Sequence, residues 1–193
     1  GKRFDSIGVE STEENRRDYR EMLFRSKGMK DNIGGVILFD ETIRQSAADG
    51  TLLRDIISNQ GALPGIKVDK GLQPIEGCDG ETVTVGLEGL DERLKEYASM
   101  GAKFTKWRAV INIGDGIPSD QSIDANMKAL ADYAKCAQDN GMVPIVEPEV
   151  IMDGDHSIDE CYEATDRSLK SLFSHLEQNG VDIKGTLLKP NMV

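Results

Sequence analysis

Four charged residues stand at or near the ends of short apolar stretches and recur along the chain at nearly regular intervals. Lys67, Lys106, Glu147 and Lys189 are separated by 39, 41 and 42 residues. If each stretch is a strand of one parallel sheet, all four side chains reach the same edge of that sheet. Charged groups in otherwise apolar strands are costly unless they converge and compensate one another, so this regularity predicts a functional site.

A pocket that holds several lysines and a carboxylate is suited to Schiff-base chemistry. Neighbouring positive charges and partial removal from water both disfavour the ammonium form, which leaves one lysine able to attack a carbonyl carbon as a neutral amine. The protonated imine is an electron sink, so a carbon–carbon bond next to the original carbonyl can break or form. Lys189, directly before Pro190, is the candidate nucleophile, and Glu147 or Glu149 is placed to move protons.

The elements that must position these residues alternate between strands and helices. Apolar stretches predict strands over 34–40, 62–68, 104–111, 142–146 and 185–189. Helices are expected over 11–26, where Ser11 and Glu14 form a capping box, and over 90–100, 118–140 and 157–178, with one buried helical face at 52–57. Residues 71–89 are glycine-rich and polar, which predicts a long functional loop.

Strand–helix alternation predicts an α/β fold with a parallel sheet, and the charged strand ends favour a (β/α)8 TIM barrel. A Rossmann fold is disfavoured because no Gly-x-Gly-x-x-Gly turn follows the first strand. A barrel needs eight units and roughly 250 residues, whereas about five units can be identified in this chain. We therefore expect residues 1–193 to be a single domain, an incomplete barrel with one unit missing before residue 1 and about two after residue 193.

Composition excludes several other classes of function. The net charge of -11 argues against a general nucleic-acid or anionic-membrane surface, and no apolar run approaches the ~18 residues of a membrane span. Three cysteines without a Cys-x-x-Cys pair predict reduced thiols. Only two histidines are present, and Asp153-Gly154-Asp155 lacks the later ligands of a calcium loop, so no metal or other cofactor is expected.

Six ordered segments carry a resemblance to a known family. They are residues 13–17 (EENRR), 33–39 (IGGVILF), 65–71 (GIKVDKG), 106–108 (KWR), 143–149 (VPIVEPE) and 185–193 (GTLLKPNMV). In this order, and over essentially the whole chain, the sequence resembles class I fructose-1,6-bisphosphate aldolase. The resemblance implies a metal-independent carbon–carbon lyase of glycolysis and gluconeogenesis that acts through a lysine Schiff base.

The resemblance also implies roles for individual residues. Lys189 matches the Schiff-base lysine, Glu147 the acid/base, Glu149 its neighbour in the lysine network, and Lys106 a lysine at the cleaved bond. The implied substrate-binding residues are Lys67, Arg108, Arg16 and Arg3. The family's first-strand aspartate and its second phosphate site find no match within this sequence, so the stretch alone is expected to be inactive.

The family further implies a sugar phosphate substrate and a homotetramer. A cytoplasmic location is the default expectation, with the plastid as the alternative. Two other functions remain open at this point. One is a different Schiff-base lyase on the same barrel, acting on another ketose or a keto acid. The other is a non-catalytic binding protein, or a fragment, derived from an aldolase.

Overall fold

The computed structural model describes residues 2–193, and its elements follow the predicted alternation. The helices are α1 (Lys2–Asp5), α2 (Glu13–Phe24), α3 (Met29–Asn32), α4 (Asp40–Arg44), α5 (Leu53–Asn59), α6 (Leu90–Ser99), α7 (Asp120–Asp139) and α8 (Ile158–Gln178). The strands are β1 (Gly35–Leu38), β2 (Leu63–Lys67), β3 (Leu72–Pro74), β4 (Thr82–Thr84), β5 (Phe104–Ile111), β6 (Val143–Val150) and β7 (Leu187–Leu188).

Five strands form one parallel sheet in the order β1-β2-β5-β6-β7. Strands that are neighbours in this sheet therefore also follow one another along the chain, as in consecutive units of a (β/α)8 barrel. The carboxyl ends of all five strands lie at the same edge, which confirms the α/β fold class and the common edge on which the predicted site depends.

The core lies between the sheet and its helices, and β5 shows how the sequence specifies it. Its residues alternate strictly between half-buried and buried, so Lys106 and Arg108 share one face while Trp107 points to the other. Trp107 is fully buried and stacks on Tyr133 of α7, with ring centroids 5.4 Å apart. The prediction that Trp107 packs between sheet and helix rather than on a ligand is confirmed.

Both ends of α7 and the end of α6 match their sequence signals. Ser119 is the N-cap of α7, and its hydroxyl accepts a hydrogen bond from Ser122 N–H. Gly101 and Gly141 directly follow the C-caps of α6 and α7 with φ of 95° and 71°, a conformation that glycine adopts without strain. These stops return the chain to the sheet at the start of β5 and β6.

Several predicted boundaries were wrong. Thr12, one residue after Ser11, is the N-cap of α2 because its hydroxyl accepts from Asn15 N–H. The predicted loop 71–89 contains the antiparallel hairpin β3–β4. Strand β6 continues through Pro148 to Val150, because Pro148 lies opposite Ala109 and the ladder with β5 continues past it.

The two edge strands are shorter and more exposed than expected. Strand β1 ends at Leu38, Asp40 already belongs to α4, and Ile37 is 42% exposed, so the expected cover on both faces is absent in the described structure. Strand β7 is reduced to two residues because Ile183–Gly185 form a 3-10 turn. None of the helices formed by residues 2–193 is long and apolar enough to cross a membrane.

Candidate active site at the carboxyl ends of the strands

The register of the parallel strands brings the predicted residues onto one face. Lys67 of β2 lies opposite Lys106 of β5, and Arg108 lies opposite Glu147 of β6. Strand β7 pairs with β6 through Leu187 and Leu188. Lys189 continues that register, since its N–H donates to Val146 O at 2.9 Å. The regular spacing along the chain therefore corresponds to neighbouring positions in space.

The spacing does not place all four charges at one level. Lys106 lies opposite Ile145, two residues before Glu147. Lys67 and Lys106 thus lie side by side across the sheet. Arg108, Glu147 and Lys189 form a second row, two residues closer to the carboxyl ends of the strands. Because long side chains reach diagonal neighbours on the same face of a sheet, Lys106 can still contact Glu147.

Glu147 is the centre of the site. Its side chain is 2% exposed, and its two oxygens face two different lysines. Lys189 Nζ donates a hydrogen bond to Oε1, while Lys106 Nζ makes an ion pair with Oε2. A carboxylate buried this deeply is stable as an anion only when it is paired, so the position of Glu147 depends on both ammonium groups.

A second pair of residues extends the same face toward the end of the sheet. Arg108 Nε donates to Glu149 Oε2, which joins the ends of β5 and β6. The two side chains are 39% and 25% exposed, so this pair is more accessible than Glu147. An arginine and a carboxylate at the mouth of a pocket can orient a charged substrate without being consumed by the reaction.

Lys67 is held on its own side of the cluster by a residue that the sequence reasoning passed over. Its Nζ forms an ion pair with Asp69 Oδ1. Asp69 was not among the predicted site residues, although a carboxylate two positions after a strand-end lysine lies on the same face and can reach it. That spacing is the signal that could have identified it.

The charges of this face leave one cation in surplus. Lys67 is paired with Asp69 and Arg108 with Glu149, whereas Lys106 and Lys189 share Glu147. One carboxylate neutralises the charge of only one ammonium group, so the four cations and three carboxylates of this face carry one net positive charge. Lys189 is the more accessible of the two, since its side chain is 52% exposed against 13% for Lys106.

Two predicted substrate-binding residues lie outside this cluster. Arg16, on α2, is engaged by Glu41 of α4, with Nη2 donating to Oε1 at 2.8 Å. Arg16 Nη1 donates to the carbonyl of Ser11 at 2.5 Å. Arg3 lies on the exposed helix α1 and makes no ion pair within residues 2–193. The roles of Arg3 and Arg16 in substrate binding therefore stay predictions.

The fold and the face described above define a class of protein. It is a parallel α/β barrel protein with lysines and carboxylates at the carboxyl ends of its strands, the place where barrel enzymes hold their reacting groups. Within residues 2–193 no three histidine, cysteine, aspartate or glutamate side chains are grouped as they would need to be to hold a metal ion. The chemistry that this face offers is that of its amines and carboxylates.

Comparison with protein families identifies the chain more closely. The family model described as "Glycolytic: Fructose-bisphosphate aldolase class-I" matches residues 1–193. The chain belongs to the class I fructose-bisphosphate aldolase family, which confirms the resemblance carried by the six segments.

Individual relatives agree with this family. The chain is 56% identical over 192 residues to a probable fructose-bisphosphate aldolase class 1 of Xanthomonas campestris, covering 100% of this chain and 58% of that protein. It is 51% identical to the cytosolic fructose-bisphosphate aldolase 4 of Arabidopsis thaliana, covering 100% of this chain and 49% of the relative. The chain thus spans about half of the length of these curated relatives.

A solved structure agrees with the fold. The fructose-bisphosphate aldolase of Plasmodium falciparum, crystallised with TRAP and a small molecule inhibitor, superposes with a TM-score of 0.97 at 48% sequence identity. The match covers 100% of this chain and 56% of the solved one. The described strands and helices are therefore part of a TIM barrel.

Proposed function

We propose that the protein reversibly cleaves fructose 1,6-bisphosphate into dihydroxyacetone phosphate and glyceraldehyde 3-phosphate. The observation that carries this proposal is the Lys106–Glu147–Lys189 cluster, in which a buried carboxylate is shared by two lysines and the more exposed lysine can reach a ligand. Membership of the class I family supports the substrate and the Schiff base.

The geometry supports a role for each group. The neutral amine of Lys189 attacks the ketose carbonyl carbon, and loss of water gives a protonated imine. Glu147, hydrogen-bonded to Lys189 Nζ, is placed to carry the protons of the addition and dehydration. A base then takes the proton of the C4 hydroxyl, the C3–C4 bond breaks, its electron pair moves into an enamine, and the aldehyde product leaves. Protonation of the enamine at C3 and addition of water to the imine release dihydroxyacetone phosphate and restore the Lys189 amine.

The remaining residues of the face hold the substrate. Lys106 contacts the other oxygen of Glu147 and is the candidate to meet the substrate at the cleaved bond. Glu149 forms an ion pair with Arg108 near the carboxyl ends of β5 and β6. Lys67, Arg108, Arg16 and Arg3 are the proposed cations for the anionic groups of the sugar phosphate.

The direct test is reduction with borohydride in the presence of dihydroxyacetone phosphate, followed by peptide mapping. We expect one adduct, on Lys189. Lys189→Arg keeps the positive charge but cannot attack a carbonyl, so this variant should form no adduct. An adduct on another lysine would contradict the assignment.

Assay of the native protein at its natural length separates the proposal from its two rivals. Cleavage of a keto acid, with none of the bisphosphate, would favour a different Schiff-base lyase. Binding of the bisphosphate without turnover would favour a non-catalytic relative.

We also infer a homotetramer in the cytoplasm. The inference rests on the family and on relatives described as cytosolic aldolases from Arabidopsis thaliana. Light scattering of the native protein would test the tetramer, and fractionation of the source cells would distinguish the cytoplasm from the plastid.

A further inference from the structure

Asp69 is buried at the point where β2 ends. Its side chain is only 5% exposed, and both of its oxygens are engaged. Oδ1 accepts from Lys67 Nζ, and Oδ2 accepts from the backbone N–H of Arg108 at 3.4 Å. One carboxylate therefore holds the charged end of one strand residue and the main chain of a residue in the neighbouring strand.

The contact with Arg108 takes the place of a backbone hydrogen bond, because the pairing of β2 with β5 has already ended at this position. The last backbone hydrogen bond in that direction runs from Val68 N–H to Lys106 O at 3.1 Å. At the next rung, the Asp69 carboxylate accepts from Arg108 N–H, and the Thr84 hydroxyl donates to Arg108 O at 2.8 Å. Two side chains thus fix the backbone of Arg108 on the side of β5 where pairing with β2 has ended.

The cation that Asp69 holds faces a space that a ligand can enter. Lys67 is 34% exposed, and together with Asp69 it lines a cleft of about 670 Å³ at the carboxyl ends of β1 and β2. A lysine side chain loses rotamer entropy when it is ordered. A carboxylate that orders Lys67 before the substrate arrives removes this cost from binding.

We propose that Asp69 is a positioning residue that holds Lys67 and Arg108 in the arrangement that receives an anionic group of the substrate. The proposal rests on the proposed function, because the anionic group is that of a sugar phosphate. Asp69 acts through Lys67 and Arg108 and does not itself touch the reacting atoms. Its loss should therefore affect substrate binding more than the chemical step.

The test compares Asp69→Asn with Asp79→Asn in the native protein at its natural length. Asp79 is exposed in the hairpin, and its change removes the same charge. For Asp69→Asn we expect KM for fructose 1,6-bisphosphate to rise about tenfold while kcat changes less than about threefold, as for loss of uniform binding. Adduct yield on Lys189 at saturating substrate should be unchanged, and Asp79→Asn should match the parent in all three measurements.

A double-mutant cycle with Lys67→Met separates positioning from general stability. If Asp69 acts through Lys67, then in the Lys67→Met background Asp69→Asn should change KM by only about twofold to fivefold, the part that acts through Arg108, since coupled residues are not additive. Full additivity, or an unchanged KM in Asp69→Asn alone, would overturn the proposal. A parent protein that lacks aldolase activity would contradict the proposed function instead.

Thr84→Val provides a test that leaves every charge in place. It removes the hydroxyl that donates to Arg108 O and keeps the shape of the side chain. We expect KM to rise about twofold to fivefold, with the melting temperature within a few degrees of the parent. If Asp69→Asn fails to fold, this variant still decides the Arg108 half of the proposal, because an unchanged KM would contradict it.

Discussion

Strands β6 and β7 hold the two partners of the central ion pair in very different ways. All eight residues of β6 pair with β5, and Glu147 within it is 2% exposed. Only two residues of β7 pair with β6, they are 54% and 39% exposed, and Lys189 follows them with its side chain 52% exposed. Within residues 2–193 the carboxylate is therefore held in a long ladder, while the lysine follows a short one.

This difference suits the proposed chemistry. A general acid/base must stay within hydrogen-bond reach of successive intermediates, which favours a rigid position. A nucleophile must exchange its carboxylate contact for a bond to the substrate, which favours a side chain held on one side only. Changes in β6 and in its neighbour β5 should thus alter rate or stability strongly, and changes in β7 should alter the reaction more than the fold.

The largest effect is expected for Glu147→Gln. The amide keeps the shape of the side chain but cannot take up a proton or neutralise Lys106 and Lys189, so kcat should fall by about 10²–10⁴-fold. Steady-state kinetics at saturating fructose 1,6-bisphosphate would measure this loss. Glu88→Gln, at an exposed position of the loop before α6, is the matched control and should retain parental kcat. A Glu147→Gln enzyme with more than a tenth of the parental kcat would remove Glu147 from the proton transfers.

Trp107→Ala tests whether the packing of β5 against α7 stabilises the part of the sheet that holds Glu147. Trp107 is fully buried in β5 and stacks on Tyr133, and removing such a side chain costs about 3–5 kcal/mol. Denaturant unfolding of the native protein should show this loss in the free energy of unfolding. A loss below about 1 kcal/mol would mean that the β5–α7 contact does not stabilise the platform on which the site lies.

Leu188→Ala tests the other side of the comparison, the short strand β7. Leu188 is 39% exposed in β7, so in a chain limited to residues 1–193 its truncation should cost less than about 1 kcal/mol of unfolding free energy. It directly precedes Lys189, and the rate of adduct formation with dihydroxyacetone phosphate should fall severalfold because the lysine is presented less uniformly. Leu187→Ala is the control, because Leu187 is also exposed but lies one residue further from Lys189. Equal effects of both changes on the trapping rate would contradict the proposed importance of the strand end.

The sequence was sufficient to predict the parts of the fold in which local pattern and tertiary contacts agree. In strand β5, Lys106 and Arg108 alternate with the apolar Trp107 and Ala109, and its predicted bounds are those observed. Helices α6 and α7 end at glycines that favour a positive φ. Each of these features depends on neighbours along the chain, which a single sequence displays.

The parts that were missed depend on contacts between distant segments. Nothing local shows that β6 continues through Pro148, because that continuation is stabilised by pairing with β5. The hairpin within 71–89 is attached to α7 by Asn126, whose amide donates to Thr82 O at 2.8 Å, a contact across 44 positions. The surplus cation of the site follows from the register of three strands. The spacing along the chain predicted that the charged residues share one edge, but it could not show which of them lie opposite one another.

The smallest effect concerns a second carboxylate that is shared by two cations but lies away from the strand ends. Glu41 of α4 binds Arg16 at 2.8 Å and Arg20 at 3.5 Å, both on α2, and its side chain is 28% exposed against 2% for Glu147. The Arg16 hydrogen bond holds the pKa of Glu41 below its ordinary value. Guanidinium groups do not give up their protons at neutral pH, so this arrangement can stabilise the fold but cannot generate a nucleophile.

Glu41→Gln should therefore lower the free energy of unfolding at pH 7 by less than about 1 kcal/mol. Because the folded-state pKa of Glu41 lies below the unfolded value of about 4.3, its stabilisation is complete above that pH and is lost as pH falls through the folded-state pKa. Unfolding curves of parent and variant should thus differ at pH 7 and converge in acid. A difference that persists after the carboxyl is protonated would assign the effect to packing rather than to charge, and a loss of kcat would place this peripheral pair within the reaction.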